Sequence, residues 1–199
     1  MKLQNGIYKC ILLFVGCTSF YVHTQAQNWD VNLLKKINPQ HPNSAVMLGF
    51  TNSANPIGLA SPLSLLAAGY IKKDKQLQHK GWEAVGSFAI TAVITEGLKH
   101  TVNRDRPYKK YPDKIYPNRI QHSPTFPSGH ASIAFSTATT LTLEFKKWYV
   151  AVPAYAWAAG VSYSRLYLGE HYPSDVIGGA VAGAGSAVLS HWLSKKIFK

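Results

Sequence analysis

The apolar residues of the chain form five long stretches that are separated by polar segments. The first stretch, residues 45–71, carries no charge, although Asn, Ser, Pro and Gly interrupt it. The other four are residues 82–98, 131–143, 148–161 and 176–193, in which Glu83 and Glu96 are the only charges. Small residues are frequent throughout, and no stretch shows the alternation of polar and apolar positions that is typical of strands. The pattern predicts an all-α fold, a compact helical bundle.

The lengths of these stretches bear on whether the helices cross a membrane. Residues 45–71 are long enough for a span, whereas several other stretches fall short of the typical length of about 20 residues. The glycines at 178, 179, 183 and 185 predict close approach of the last helix to a neighbour. We expect about five membrane-spanning helices, and a soluble helical bundle remains the alternative.

The first 26 residues have the pattern of a secretory signal peptide. Lys2 and Lys9 are followed by the apolar stretch 10–22 and by small residues before Gln27. We therefore expect an exported protein with a signal peptide at 1–26, or a retained anchor, and a single helical domain at 27–199. Both cysteines lie in the signal segment, so a cleaved product has no thiol for a disulfide or a metal site.

Residues 28–38 follow the signal segment and predict a short amphipathic helix. Trp29, Leu33, Leu34 and Ile37 recur at helical spacing, with lysines on the other face. Such a helix either lies in a membrane interface or packs on the domain.

The topology and the charge together restrict the partners. If all five helices cross a membrane, residues 99–130 and 164–175 share the side of the amino terminus, and the lysine-rich segments 72–80, 146–147 and 195–199 share the other. Both sides are basic, so the positive-inside rule does not decide the orientation, whereas the signal segment does. The formal net charge of +12 favours anionic partners. An exported protein rarely meets nucleic acid, which leaves lipid head groups and phosphates.

Three polar stretches on the predicted amino-terminal side carry candidate chemistry. "KHTVNRDRP" contains Lys99 and, after six intervening residues, Arg106. "PSGH" precedes an apolar run, so Ser128 is expected to cap a helix whose first N–H groups form an anion site. "SRLYLGEHYPSD" holds Arg165, His171 and Asp175.

These residue types suit phosphoryl transfer. Fixed cations and N–H donors stabilise the charge that spreads over the phosphoryl oxygens in the transition state. A histidine that is held by a carboxylate, as His171 and Asp175 would be, presents its other nitrogen as nucleophile or base. A second histidine, His130, could protonate the leaving oxygen. A purely structural interpretation would instead pair Arg165 with Asp175, and Glu96 is expected to form a salt bridge with Lys99 one turn later.

The three stretches resemble, at every signature position, the motifs of the type 2 phosphatidic acid phosphatase superfamily, which includes bacterial class A acid phosphatases and vanadium haloperoxidases. The resemblance covers residues 99–175. It implies that His171 attacks phosphorus and forms a phosphohistidine, that Asp175 orients His171, and that His130 protonates the leaving group and then activates water. It also implies that the phosphatases use no metal or other cofactor and that the phosphate is held by Lys99, Arg106, Ser128, Gly129 and Arg165.

The resemblance leaves several functions open. The first is a membrane lipid phosphatase of the bacterial inner membrane that faces the periplasm and acts on lipid A phosphate, isoprenoid diphosphate or glycerophospholipid phosphate. The second is a soluble periplasmic acid phosphatase. A vanadium haloperoxidase and a non-catalytic binder of phosphorylated lipid are further alternatives. No nucleic acid and no obligate protein partner is expected.

Overall fold

The structure is a computed structural model that describes residues 29–197; the predicted signal segment lies outside these residues. Every regular element in the described chain is a helix. The helices are α1 (residues 29–37), α2 (Ala45–Ile71), α3 (Lys75–Val102), α4 (Pro107–Lys110), α5 (Gly129–Phe145), α6 (Trp148–Tyr167) and α7 (Pro173–Ile197). The predicted all-α fold is confirmed.

The five apolar stretches correspond to α2, α3, α5, α6 and α7. The bounds of α2 coincide with the predicted stretch, whereas the other helices extend beyond their apolar residues at one or both ends. The extension is largest for α3. The side chain of Asp74 accepts a hydrogen bond from the Leu77 N–H and so caps its start, and Asn103, with a left-handed φ of 43°, ends it. Polar capping residues set these boundaries, and the pattern of apolar residues does not include them.

Helix α5 is the centre of the bundle and packs against α2, α3, α6 and α7. Its closest neighbour is α7, and two glycines of α7 explain the close approach. A Cβ at Gly179 would lie 2.6 Å from the Ser128 carbonyl oxygen, and one at Gly183 would collide with the Ser132 carbonyl oxygen. The predicted close packing is therefore present at these two positions, whereas Gly185 faces open space.

The side chains inside the bundle are small and often polar, whereas those on its outer surface are often large and apolar. The hydroxyl groups of Ser87 and Ser136 are 2.8 Å apart, and Thr91 and Thr140 each donate to this pair at 2.8 Å. Alanines dominate the neighbouring apolar core. Large exposed side chains cover the outer faces of the helices, among them Trp82, Val93, Trp148, Val152, Ile177, Val181, Val188 and Trp192. This arrangement is typical of helices that pack inside a membrane.

Hydropathy identifies fewer membrane spans than the five that the sequence predicts. By length and mean hydropathy, one helix of the described chain, Pro173–Lys196, qualifies as a membrane span. The polar residues that the other helices bury between them lower the mean hydropathy of those helices, so the number of spans is not fixed by this criterion.

Helix α1 packs on the domain through its apolar face. Leu34 is fully buried against Tyr108, Ile115 and Tyr172, which lie in the connections on one end of the bundle. Asn38, just after α1, donates to the carbonyl oxygens of Tyr116 and Tyr167 at 2.9 Å each. The described residues thus follow the second alternative for this helix, packing on the domain, although Trp29 stays 49% exposed.

Candidate active site

The eight predicted site residues all lie at one end of the bundle, where α3 ends, α5 begins, α6 ends and α7 begins. Backbone hydrogen bonds join the three motifs there. The Ser128 N–H donates to the Asp175 carbonyl oxygen at 3.0 Å, and the Thr125 N–H donates to the Arg104 carbonyl oxygen at 2.9 Å. The structure thus brings together Lys99, Arg106, Ser128, Gly129, His130, Arg165, His171 and Asp175.

Arg106 is a buried cation whose direct hydrogen bonds involve no carboxylate. Its Nε donates to the Ser123 carbonyl oxygen at 2.9 Å and its Nη2 to the Ser123 hydroxyl at 3.0 Å. Its Nη1 donates to the Glu170 carbonyl oxygen at 3.0 Å, which ties the first motif to the third. Neutral acceptors therefore fix the guanidinium and leave its charge for another anion.

Arg165 is buried at the end of α6 and pairs with Glu170, while its Nη1 donates to the Thr51 hydroxyl of α2. The structural interpretation that paired Arg165 with Asp175 is therefore wrong. It failed because Arg104, which the sequence did not single out, takes Asp175 with a distance of 2.7 Å between Nη1 and Oδ1.

Lys99 occupies the last turn of α3, beside the start of α5. Its Nζ lies 3.9 Å from Glu96 Oε2, so the predicted salt bridge is present. The same Nζ is 3.8 Å from the point where a Cβ on Gly129 would lie. The lysine charge and the first residue of α5 therefore border the same space.

Three buried polar atoms at this end of the bundle have no hydrogen-bond partner within residues 29–197: Thr95 Oγ1, Ser128 Oγ and Arg165 Nε. Ser128 is the N-cap residue of α5, as predicted, but its side chain does not cap the helix. A buried polar group without a partner costs about 1–3 kcal/mol. An anion that accepts from Ser128 and Arg165 would remove this cost, and the arrangement therefore fits an anion site.

His171 lies between α6 and α7, and its link to Asp175 runs through a residue that sequence reasoning missed. The His171 Nδ1 is 3.7 Å from Asp175 Oδ2, which is too long for a hydrogen bond. Thr125 Oγ1 lies between them, 3.1 Å from His171 Nδ1 and 2.6 Å from Asp175 Oδ2. The Tyr172 N–H also donates to Asp175 Oδ2, at 2.8 Å.

This geometry determines the tautomer of His171. The ionised Asp175 carboxylate can only accept, so the single hydroxyl proton of Thr125 is donated to Oδ2. The Thr125 oxygen must then accept the proton on His171 Nδ1. The other ring nitrogen, Nε2, consequently carries a lone pair and is free to act as a base or a nucleophile.

The protonation state of His171 agrees with this role. Burial, with the positive charge of Arg165, lowers the pKa of the imidazole from 6.5 to about 4, while Asp175 acts in the opposite direction. His171 is therefore neutral, and Nε2 unprotonated, over the whole range around neutral pH.

His130 lies in the first turn of α5 and lines a cavity of about 60 Å³ together with Arg165 and Glu170. Side chains of α2 and of the connection before α5 complete the wall: Leu48, Thr51, Asn52, Asn118, Arg119 and Gln121. A larger cavity of about 270 Å³ lies beside Arg104 and Tyr172. None of the predicted site residues lines it, and a third cavity of about 120 Å³ is lined by one of them, Arg106. The smallest cavity is lined by two, His130 and Arg165, and is therefore the candidate catalytic pocket.

The described residues also contain a group with metal-ligand chemistry, formed by Glu83, Glu144 and His191. Glu83 precedes Lys99 on α3 by a distance of about 24 Å along the helix axis, from a rise of about 1.5 Å per residue. The group is therefore remote from the catalytic pocket. A hydrogen bond of 2.5 Å between His191 Nδ1 and Glu83 Oε1 joins α7 to α3 there.

Comparison with known proteins gives a consistent result. The sequence model of the PAP2 superfamily matches residues 80–199. An undecaprenyl-diphosphatase of Sulfolobus acidocaldarius is 36% identical over 125 residues, which are 58% of this chain and 56% of that protein. A lipid A 1-phosphatase of Porphyromonas gingivalis is 29% identical over 157 residues, 74% of this chain and 31% of that protein. This chain thus spans less than two thirds of the length of either relative.

A solved structure extends the likeness to the arrangement of the helices. The transmembrane PAP2-type phosphatidylglycerolphosphate phosphatase from Bacillus subtilis superposes with a TM-score of 0.69 at 25% identity. The superposition covers 94% of this chain and 94% of that chain.

Proposed function

The chain belongs to the PAP2 superfamily, and from this premise we propose that it is a metal-independent phosphatase of membrane lipid phosphates that works through a phosphohistidine. The observation that carries the proposal is a pair of buried donors that have no partner in the described part of the chain, Ser128 Oγ and Arg165 Nε, at the end of the bundle that also holds the charges of Lys99 and Arg106. A phosphate group would supply acceptors for these two donors and negative charge opposite the cations.

In the first step, His171 Nε2 attacks phosphorus with its lone pair while the bond from phosphorus to the leaving oxygen breaks. The Nδ1 proton stays on His171 and is hydrogen-bonded to the Thr125 oxygen, while Asp175 balances the positive charge that develops on the ring. His130 gives a proton to the leaving oxygen. The positive charges of Lys99, Arg106 and Arg165 disfavour the protonated form of His130. The negative charge of the bound phosphate offsets these charges, so protonated His130 is stabilised when substrate is present.

In the second step, His130 is neutral and takes a proton from water, which attacks the phosphohistidine. The bond between phosphorus and nitrogen breaks, its electron pair returns to Nε2, and inorganic phosphate leaves. Lys99, Arg106, Arg165, Ser128 and the Gly129 N–H hold the phosphoryl oxygens in both steps.

The surface of the bundle supports a lipid substrate. Exposed apolar side chains on the outer helix faces suit contact with acyl chains. Exposed tryptophans, Trp82, Trp148 and Trp192, lie at the end opposite the catalytic pocket, beside the lysine-rich connections, as expected at a membrane interface. Helix α1 lies at the catalytic end, so export of the amino terminus would place the pocket on the periplasmic side.

A substrate panel tests the proposal. The protein is purified in detergent, and phosphate release is measured with isoprenyl diphosphate, lipid A, phosphatidylglycerol phosphate, phosphatidate and soluble phosphomonoesters. We expect turnover of lipid phosphates that EDTA leaves nearly unchanged and vanadate inhibits. Loss of activity with EDTA that a divalent ion restores would refute the mechanism.

The same preparation separates the alternatives. Release of the protein by osmotic shock without detergent, with activity on soluble phosphomonoesters alone, would favour the soluble acid phosphatase. Halide oxidation in the presence of vanadate would favour the haloperoxidase. Binding of phosphorylated lipid without phosphate release would favour the non-catalytic binder.

A further inference from the structure

Asp30 is a buried carboxylate of α1 that reaches the third motif. It lies outside residues 80–199, which match the family model, and only 2% of it is exposed. The Ser174 N–H donates to Asp30 Oδ1 at 2.9 Å, and the Ser174 hydroxyl donates to Oδ2. Ser174 immediately precedes Asp175, so α1 contacts the backbone of the candidate active site directly.

Arg104 connects Asp30 to Asp175. Its Nη2 donates to Asp30 Oδ2 at 2.8 Å, and its Nη1 donates to Asp175 Oδ1 at 2.7 Å. The guanidinium also stacks over the Tyr172 ring, 4.0 Å from the ring centre. The two ends of one planar group are thus bound to two different carboxylates, a geometry that a lysine cannot reproduce.

The consequence is a continuous path of hydrogen bonds from α1 to His171. Arg104 holds Oδ1 of Asp175, which leaves Oδ2 to accept from Thr125, and Thr125 accepts the Nδ1 proton of His171. Asp175 is fully buried, so it depends on these partners for its orientation and its charge balance. Without Asp30, one end of the Arg104 fork has no carboxylate partner and the guanidinium is free to rotate about its remaining contacts.

We propose that Asp30 is a positioning residue of this active site, which acts through Arg104 on Asp175 and so on the orientation of His171. Helix α1, which lies outside the residues that match the family model, is then a functional part of the phosphatase. The inference rests on the proposed role of His171 as the nucleophile.

The test is an isosteric loss of charge, Asp30→Asn, with Asp113→Asn as the matched control. Asp113 is an exposed carboxylate in the connection between α4 and α5. We expect Asp30→Asn to lower kcat and the rate of phosphoenzyme formation about tenfold with an unchanged KM, since the ion pair with Arg104 is lost at a point away from the phosphate. Asp113→Asn should match the wild type.

A double-mutant cycle with Arg104→Lys separates this role from a structural one. Arg104→Lys keeps the charge but loses the fork, so it should also cost about tenfold in kcat. If both residues act through the same link, the double variant should lose about 10- to 30-fold rather than the additive 100-fold. If the Asp30 variant does not fold, the Arg104 variant by itself still tests the link between Asp30 and Asp175.

The outcomes are distinct. A kcat of Asp30→Asn equal to that of the wild type, a change in KM alone, or additive losses in the cycle would each overturn the inference. A wild-type protein that forms no phosphoenzyme would instead refute the proposed function. Thermal unfolding in detergent verifies that each variant used for kinetics is folded.

Discussion

Replacement of Thr125 by valine tests how the proposed nucleophile is oriented. Thr125 is fully buried, and valine has nearly the same shape, so the substitution removes the hydroxyl with little change in packing. Two hydrogen bonds disappear, to His171 Nδ1 and to Asp175 Oδ2. The Nδ1 proton then has no acceptor within hydrogen-bond distance, and the tautomer in which Nε2 is free is favoured only by the more distant charge of Asp175.

The magnitude follows from these two bonds. A hydrogen bond contributes about 0.5–1.5 kcal/mol on balance, so the pair is worth about 1–3 kcal/mol. If this stabilisation is present in the transition state, its loss lowers kcat by about 5- to 150-fold, because about 1.4 kcal/mol corresponds to a factor of ten. Thr125→Ser retains the hydroxyl and should stay close to the wild type.

The assay is single-turnover phosphoenzyme formation with p-nitrophenyl phosphate, together with inhibition by inorganic phosphate. Thr125→Val should slow formation while the inhibition constant of phosphate stays unchanged, since Thr125 contacts His171 and Asp175 from the side of Nδ1. Equal rates for the valine and serine variants would refute the reasoning. So would a valine variant whose whole loss lies in phosphate affinity.

Three further predictions concern pH, substrate choice and packing. Because the pKa of His171 is lowered, its contribution to stability is present above pH 6.5 and is lost as the pH falls towards 4. The loss amounts to up to about 3 kcal/mol, so the melting temperature should fall more steeply over this pH range in the wild type than in His171→Gln. Arg119 lines the catalytic pocket and forms no ion pair within residues 29–197, so it could contact the second phosphate of a diphosphate substrate. Arg119→Gln should therefore lower kcat/KM for isoprenyl diphosphate more than for a lipid monophosphate, and equal losses would contradict this contact. Gly183→Ala should lower the melting temperature because its Cβ meets the Ser132 carbonyl oxygen, whereas Gly185→Ala, in open space, should not; equal effects would contradict the packing of α7 on α5.

The sequence predicted the helices well because their apolar stretches are long and nearly free of charge. The bounds of α2 follow directly from the residues that lack charge. The number of membrane spans could not be predicted in the same way, since hydroxyl groups such as those of Ser87 and Ser136 are buried between helices and lower the hydropathy of segments whose outer faces are apolar.

The candidate site was predictable only as far as its motifs extend. Motif spacing singled out His171 and Asp175, but the residue between them, Thr125, lies just before the "PSGH" motif and comes close only when α5 and α7 pack together. Asp30 is further still in sequence, and one carboxylate in an amphipathic helix gives no signal of its partner. Such residues follow from tertiary contacts, which no local pattern contains.

Acid-quenched labelling with an activated phosphate substrate tests the central claim most directly. His171→Ala should form no phosphoenzyme and have no turnover, because the nucleophile is gone. His130→Ala should form the phosphoenzyme and accumulate it, since hydrolysis of the phosphohistidine lacks its base, while turnover of lipid phosphates falls by about 10²–10⁴-fold. Labelling of the His171 variant but not of the His130 variant would show that the two roles are reversed, and labelling of neither variant nor of the wild type would contradict the phosphohistidine mechanism.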